Sequence, residues 1–304
     1  MELPRTRALL PEVIWRDSSP STNAELRELV APRQGDAPVP APPHGTLLAT
    51  SDQTAGRGRL DRGWVTPPDT SIAASLLVRG FGATGLGAGW LPLLAGSAIV
   101  TALQSHFTAA AANALGPDGD SDSAEAKRVG VKWPNDVHVR DEHDAIAGSP
   151  GKKLCGILCE LLPGEPGAAN AGHTIIVGTG INLLIPEWEL PTDRATSLLA
   201  AGADTGGAET LAEPAGHDLV DRVLADYSAE LLRLVRLAAD DPDAARARVA
   251  RHSLTLGTEV RVHLPGGQIV DGRARALAAD GSLIVDLPTG GELTVSAGDV
   301  EHLR

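Results

Sequence analysis

The sequence predicts an α+β protein in which a mixed sheet with covering helices precedes a small β-barrel. Apolar strand-like segments alternate with long helical patterns through most of the 304-residue chain. Beyond residue 254 the pattern becomes short alternating strands separated by Gly- and Pro-rich turns. Hydrophobic content is 42% but aromatic content only 3%, so Ala, Val and Leu must fill the core. These observations place one domain at 1–253 and a second at 254–304.

The first domain begins with a strand that becomes a helix within residues 13–30. Ser21 and Thr22 have the character of capping residues, and Glu25 follows Thr22 by three positions. A Pro-rich connector at 31–45 comes next. The following elements are, in order, a strand at 46–56, a strand at 70–80, an apolar helix at 90–107, and strands at 130–140, 152–162 and 173–184.

A long amphipathic helix closes the first domain at 217–238. Its spacing puts five apolar side chains on one face: Val220, Val223, Tyr227, Leu231 and Leu234. Polar stretches at 116–128, 140–151 and 202–216 are predicted to be surface loops without an assigned role.

The second domain shows strand patterns at 260–264, 269–277, 282–287 and 292–297. The turns between them contain PGG, ADG and PTGG, which favour tight reversals. This region is predicted to be a β-barrel of about 50 residues.

Composition excludes several classes of function. The formal net charge of −13 disfavours extensive binding to a nucleic-acid backbone. Two cysteines, Cys155 and Cys159, do not make a disulfide framework, and a metal site there is disfavoured without neighbouring His residues. The N-terminus lacks a signal-peptide pattern, and no uninterrupted apolar run of about 18 residues is present. We therefore expect a cytoplasmic protein without a membrane segment.

The segment GFGATG at 80–85 fits a dinucleotide-binding pattern of glycines. That fold also needs an acidic residue about 20 positions later for the ribose, and none occurs between Asp69 and Asp118. A strand-to-helix loop is the favoured interpretation. GTGINL at 178–183 lacks the third glycine, and no Walker-type phosphate loop is present.

The arginine-rich segment SDQTAGRGRLDRGW at 51–64 contrasts with the acidic chain. Glycines let backbone N–H groups approach an anion, and guanidinium groups match phosphate and carboxylate oxygens in pairs. The segment predicts a flexible anion clamp, although a solvated loop or a generic RNA contact has the same composition. We expect it to be mobile without ligand, with Asp61 weakening anion retention.

Two further clusters carry cations. Lys132 lies on a strand that runs into the turn of KWPND, four positions before Asp136. An ordinary turn explains that spacing, and so does a site for a phosphate and its Mg²⁺. In KKLCGILCEL, Lys153 stands at the head of an apolar strand, and Gly156 marks a place where a ligand or backbone approaches closely. STN at 21–23 can cap its helix and bind a polar ligand as well.

The order of these motifs is more specific than any one of them. STN, GRGRLDRGW, KWPND, KLCGILCEL, GTGIN and TSL at 196–198 follow one another ahead of the small barrel. This order closely resembles that of the biotin–protein ligases, in the bacterial form that lacks the N-terminal DNA-binding domain. The resemblance covers about residues 13–200 by motif and 254–304 by pattern, and it implies a class II synthetase-like catalytic domain with an SH3-like C-terminal barrel.

The resemblance implies roles for residues at matching positions. Catalysis is expected from Lys132, Arg57 and Asp136; biotin contacts from Ser21, Thr22, Asn23, Gln53, Arg57, Gly58, Arg59, Lys153 and Gly156; nucleotide or phosphate contacts from Arg59, Arg62, Trp64, Lys132 and Asn182. Asp136 is also the candidate ligand of Mg²⁺. Biotin and ATP are the implied substrates, and the biotin carboxyl carrier domain of an acyl-CoA carboxylase is the implied partner.

The resemblance also limits the partners. Because STN begins at residue 21, we expect no DNA-binding role. The chain is expected to be a monomer or a weak homodimer. Lipoate–protein ligase or octanoyl transferase activity, on the same catalytic fold, and a binding module without turnover remain the alternatives.

Overall fold

The computed structural model describes residues 1–31, 40–59, 62–114, 127–163, 172–296 and 298–303. The helices are α1 Pro4–Leu9, α2 Thr22–Val30, α3 Leu91–Ala114, α4 Glu142–Ile146, α5 Pro214–Asp240 and α6 Pro242–His252. The strands are β1 Val13–Arg16, β2 Leu47–Thr50, β3 Gln53–Arg57, β4 Gly63–Thr66, β5 Ser71–Phe81, β6 Arg128–Lys132, β7 Asp136–Arg140, β8 Lys152–Leu161, β9 His173–Asn182, β10 Glu259–His263, β11 Ile269–Leu277, β12 Leu283–Asp286, β13 Glu292–Val295 and β14 Asp299–His302.

A seven-stranded mixed sheet forms the centre of the larger region, which confirms the predicted fold class. Its strand order is β1-β2-β5-β9-β8-β7-β6. β1 and β2 run parallel, because helix α2 and its connection return the chain to the same edge, and the other neighbours are antiparallel. Strands β3 and β4 stand apart from this sheet as a two-stranded hairpin.

Helices α3 and α5 cover one face of the sheet and bury the main core. The five apolar side chains predicted on the α5 face are all buried there: Val220, Val223, Tyr227, Leu231 and Leu234. By length and composition, the helical stretch Ala88–Ala110 could cross a membrane, but 67% of its most apolar window is buried inside the protein. Its apolar character is therefore that of a core helix.

The cysteines belong to this packed face. Alternation along β8 points Cys155 towards the helices and its neighbour Gly156 towards the opposite face. Burial raises the pKa of both thiols, that of Cys159 to about 12. Both thiols are therefore protonated and unreactive at neutral pH.

Several elements differ from those predicted. The segment predicted as one strand at 130–140 is the hairpin β6–β7, because Pro134 and its neighbours form a turn. The segment at 46–56 is divided into β2 and β3 at Ser51 and Asp52. The expected surface loop at 140–151 contains α4, with Asp141 as its cap. The stretch predicted as a loop at 202–216 packs Ala208 and Leu211 into the core. The loop predicted at 116–128 lies almost wholly outside the described residues.

Short helix α1 was not predicted, since its stability depends on a residue more than 200 positions away. The buried carboxylate of Asp221 on α5 accepts hydrogen bonds from the backbone N–H groups of Arg5 and Thr6, each at 2.9 Å. It also accepts one from the Thr6 hydroxyl at 2.8 Å. A six-residue helix is not stable alone, and this contact supplies acceptors for its first N–H groups.

We expect Asp221→Ala to lower the free energy of unfolding by about 2–4 kcal/mol, because it leaves buried donors without an acceptor. Urea denaturation measures the change. Asp226→Ala is the matched control, since Asp226 is exposed on the same helix. Equal stability of the two variants would show that Asp221 does not anchor α1.

The C-terminal region is a five-stranded antiparallel sheet in the order β13-β12-β11-β10-β14. The sequence predicted four of these strands. Strand β14 was not predicted, because it has only four residues, two of them acidic, and only Val300 among them is buried. It pairs with β10, which is distant in sequence.

Two tryptophans of the larger region dock this C-terminal sheet. Trp90 donates its indole N–H to the Ala279 carbonyl at 2.8 Å, and Trp133 donates to the Gly281 carbonyl at 3.1 Å. Trp133 is the tryptophan of KWPND, and its backbone N–H donates to the Thr255 hydroxyl at 3.0 Å. The turn that carries Lys132 is thus packed against the C-terminal region.

The glycines of GFGATG serve packing. The segment comprises the end of β5 and the turn that follows it. Gly85 has a positive φ of 70°, and a Cβ there would lie 1.9 Å from the Ala238 carbonyl oxygen of α5. Close approach between the turn and α5 explains this glycine without a dinucleotide.

Candidate active site

A cleft of about 560 Å³ opens on the face of the sheet opposite α3 and α5. Its walls come from the start of α2, the β3–β4 hairpin, the β6–β7 turn, β8, β9 and β14. Thirteen of the predicted site residues line it: Ser21, Thr22, Asn23, Gln53, Arg57, Gly58, Arg59, Arg62, Trp64, Lys132, Asp136, Lys153 and Gly156. Residues from distant parts of the sequence therefore share one cavity.

Asn182 is the exception among the predicted residues. It lies at the end of β9 with 4% exposure, away from the cleft lining. Its amide donates to the Thr196 carbonyl at 2.9 Å. This contact holds the TSL segment against the sheet, and the expected place of Asn182 beside the nucleotide stays a prediction.

A polar network closes one end of the cleft. Ser21 caps α2, and its hydroxyl accepts from the Ala24 N–H. The Gln53 side-chain amide oxygen, Oε1, accepts from the Thr22 backbone N–H at 3.0 Å. Ser75, which the sequence motifs did not indicate, contacts the Thr22 hydroxyl at 2.8 Å and the Asn23 amide oxygen at 2.6 Å. These groups present fixed donors and acceptors to a small polar ligand.

Glu160 on β8 supports this network from behind. Its carboxylate accepts from the Asn23 amide at 2.9 Å and pairs with Arg27 at 2.6 Å. The Asn23 amide group is therefore oriented by contacts on both of its atoms. Glu160 belongs to the KLCGILCEL motif but had no assigned role, and Ser75 lay outside the motifs as a polar residue within an apolar strand.

Glycines form the floor of the cleft. A Cβ at Gly178 would lie 2.3 Å from the Asn23 amide oxygen. A Cβ at Gly180 would lie 2.1 Å from Trp64 Cε2, and one at Gly156 would lie 2.8 Å from Trp64 Cζ3. The Trp64 indole thus lies directly on the sheet, where any side chain at these positions would displace it.

Lys153 and Asp136 form an ion pair within the cleft. The Lys153 Nζ lies 2.7 Å from Asp136 Oδ1 and 5.5 Å from the centre of the Trp64 ring. The cation is therefore held between a carboxylate and an aromatic face. Asp136 is placed opposite Lys132 by the β6–β7 register and beside Gly156 by the β7–β8 register.

Lys132 has a different environment. Among the described residues its ammonium has no hydrogen bond or ion pair, although the Asp136 carboxylate is near. Burial lowers the pKa of Lys132, and the carboxylates of Asp136, Asp299 and Glu301 oppose that effect. A partly desolvated cation without a partner is well suited to binding an incoming anion.

The arginine hairpin reaches across the cleft. The Gly58 N–H donates to the Arg62 carbonyl at 2.6 Å, and Arg59 donates to the Asn135 amide oxygen of KWPND at 3.1 Å. The Arg62 guanidinium pairs with the Asp299 carboxylate of β14. To make the predicted contact with a phosphate, the Arg62 guanidinium would have to leave the Asp299 carboxylate. Leu60 and Asp61 lie outside the described residues, so the expected mobility of the loop and the expected effect of Asp61 remain predictions.

The described residues contain no group of three or more His, Cys, Asp and Glu side chains placed to hold a metal ion. The Asp136 carboxylate, proposed as a Mg²⁺ ligand, is paired with Lys153. The cleft therefore does not fit a resident metal centre made of protein ligands.

Comparison with known families and proteins gives a consistent assignment. Residues 21–182 match the model of the biotin/lipoate A/B protein ligase family, and residues 255–303 match that of the biotin protein ligase C-terminal domain. The chain is 34% identical over 284 residues to a biotin–[acetyl-CoA-carboxylase] ligase of Mycobacterium tuberculosis, covering 93% of this chain and 86% of the relative.

Two further matches extend the comparison. A bifunctional ligase/repressor BirA of Bacillus spizizenii is 28% identical over 203 residues, or 66% of this chain and 50% of the relative. The structure of a biotin protein ligase from Aquifex aeolicus in complex with biotin and ATP superposes with a TM-score of 0.64. That match is 24% identical and covers 97% of this chain and 100% of the other, so it shows a shared fold.

Proposed function

Because this chain belongs to the biotin/lipoate A/B protein ligase family, we propose that it activates biotin with ATP and transfers the biotinyl group to a lysine of a carboxylase. The intermediate is biotinyl-5′-AMP, and pyrophosphate is released. The observation that carries the proposal is a single cleft lined both by an oriented polar network and by the cations Lys132, Lys153 and Arg57.

The polar network suits the ring end of biotin. A ureido group offers two N–H donors and one carbonyl acceptor. Ser21 offers a hydroxyl donor and Gln53 an amide NH₂ group, while the Asn23 amide oxygen, which accepts one hydrogen bond within the protein, retains one further lone pair. The Trp64 indole and the glycine floor give the apolar chain of biotin a flat surface beside them. Lys153 then lies where it can attract the carboxylate.

In the first step a biotin carboxylate oxygen attacks the α-phosphorus of ATP. The new O–P bond replaces the bond to the leaving pyrophosphate. Both reactants are anionic, so Lys132 and Arg57 lower their repulsion and stabilise charge on the phosphoryl oxygens as it develops. A Mg²⁺ ion bound to ATP would supply neutralisation of the phosphate charge. We assign no step to a protein-bound metal.

In the second step the acceptor amine attacks the acyl carbon, and AMP leaves with the bonding electrons. We keep Asp136 as the proposed acceptor of the amine proton. Because its carboxylate holds Lys153 at 2.7 Å, it must loosen that pair in order to act. Its first role is therefore to orient Lys153 during activation.

The partner and the setting follow as parts of the same proposal. The acceptor is the biotin carboxyl carrier domain of an acyl-CoA carboxylase, in the cytoplasm. The net charge of −13 argues against an extended contact with DNA. A monomer or weak homodimer is kept as a prediction.

We expect the chain, given biotin, MgATP and a carrier domain, to biotinylate one carrier lysine, measured as a mass increase of the carrier. Biotin should raise the melting temperature, because it binds only the folded state. Lipoate should not. Lipoylation without biotinylation would assign the chain to the other branch of the family, and binding without turnover would make it a binding module.

A further inference from the structure

His138 is a buried histidine in the wall of the cleft that the proposed mechanism does not use. It lies on β7, two positions after Asp136, so both side chains share the face that borders the cleft. Its cross-strand partners are Gly130 on the neighbouring strand β6 and Lys153 on the neighbouring strand β8. Its exposure is 6%.

The protonation of the imidazole ring is set by a backbone contact. Nδ1 lies 3.1 Å from the Gly151 carbonyl oxygen, which can only accept a hydrogen bond. Nδ1 therefore carries the proton, and Nε2 presents a bare lone pair. Burial lowers the pKa of His138 to about 3, so the ring stays neutral at physiological pH.

The Nε2 lone pair has no partner among the described residues. The atom is buried, although His138 is among the residues that line the cleft. Such an unsatisfied buried acceptor is costly unless a donor reaches it during function.

Among the described residues Lys132 is a candidate donor, since its charge acts on the pKa of His138. Lys153 is already paired with Asp136. Lys132 is free among the described residues and stands diagonally across the β6–β7 ladder, two positions from Gly130, which faces His138. Long side chains reach diagonal neighbours in an antiparallel pair.

We propose that His138 is a positioning residue: the two groups are not hydrogen-bonded in this structure, and during biotin activation Nε2 accepts a hydrogen bond from the Lys132 ammonium and so holds that ammonium in place. Asp136 then holds Lys153, and His138 holds Lys132, so each cation has its own anchor. A neutral acceptor orients the ammonium without cancelling the charge that the phosphate must meet. This inference rests on the proposed function.

Two substitutions of His138 distinguish the role of its Nδ1 atom from that of its Nε2 atom. In His138→Asn the short amide can still donate to the Gly151 carbonyl but places nothing near the position of Nε2. In His138→Gln the longer side chain can present an acceptor there. We expect Asn to lower the rate of biotinyl-5′-AMP formation about 10-fold with an unchanged KM for biotin, and Gln to recover most of that rate.

A pH profile gives a readout that a purely structural role would not move. An acceptor stabilises the charged ammonium, so its removal in His138→Asn lowers the pKa of Lys132. Activity should then be lost at a lower pH as the pH rises, compared with the wild type. The other groups that act on Lys132 stay unchanged: Asp136, Lys153, Asp299, Glu301 and His302.

His173→Asn is the control, since His173 is exposed at the far end of β9. The proposal would be overturned if His138→Asn kept the wild-type rate and lost activity at the same alkaline pH as the wild type. Equal losses in the Asn and Gln variants, with lower melting temperatures, would also overturn it by showing a packing role. Failure of the wild-type chain to biotinylate would instead contradict the proposed function.

Discussion

Lys132→Ala is expected to lower the rate of biotinyl-5′-AMP formation by about 10²–10³-fold, the usual effect of removing one preorganised group that stabilises transition-state charge. Lys132 is the ammonium in the cleft that has no partner among the described residues. No described carboxylate forms an ion pair with it, so its positive charge is available to the phosphate. Pyrophosphate release in a single turnover measures the rate.

Biotin affinity should change little in this variant. The polar network around Asn23 and the Lys153–Asp136 pair do not use the Lys132 side chain. The loss should thus fall on kcat and leave the Kd for biotin close to that of the wild type. Isothermal titration with biotin tests this separation.

Lys152→Ala is the matched control. Lys152 precedes Lys153 on β8 but is half exposed and contacts Glu187 at 3.8 Å on the surface. Removing it deletes the same charge from another strand of the same sheet, at a position that does not line the cleft. A similar loss of rate in both variants would mean that general positive charge, and not the placement of Lys132, supports activation.

The sequence could predict the parts of the site that are carried by short motifs. The turn of KWPND brings Lys132 and Asp136 together locally, and the glycine inside the apolar segment of β8 indicates a close approach at that strand. The sheet order then joins these motifs, since β9, β8, β7 and β6 are neighbours. Short local motifs therefore contain most of the residues that line the cleft.

The contributions that depend on distant contacts could not be predicted. Ser75 looks like an ordinary polar interruption of an apolar strand until α2 packs over it. Asp299 enters the cleft only because β14 pairs with β10 and the C-terminal sheet docks on Trp90 and Trp133. Asn182 shows the reverse case, because a motif residue is used to hold a neighbouring segment.

Gly180→Ala is expected to lower kcat/KM for biotin by about 100-fold, the effect of displacing a ligand-positioning group by roughly 1 Å. The added methyl carbon would lie 2.1 Å from Trp64 Cε2 and 2.2 Å from Nε1. The indole cannot shift sideways over Gly156 without leaving Lys153, which lies 5.5 Å from its ring centre. It must therefore lift from the floor of the cleft.

Gly63→Ala provides the comparison. Gly63 immediately precedes Trp64, and a Cβ there meets nothing within 4 Å. Both variants add one methyl group beside the same tryptophan, but only the change at Gly180 overlaps with the ring. Tryptophan fluorescence and the Kd for biotin should change in Gly180→Ala and stay near wild-type values in Gly63→Ala.

The comparison also tests what the glycine floor is for. If the floor only allowed the two strands to pack, Gly180→Ala would lower the free energy of unfolding and leave biotin affinity intact in the folded fraction. If the floor seats Trp64 for the ligand, affinity falls even where the protein remains fully folded. The second outcome is expected, because Gly156 and Gly180 both face the indole in the cleft and belong to adjacent, registered strands.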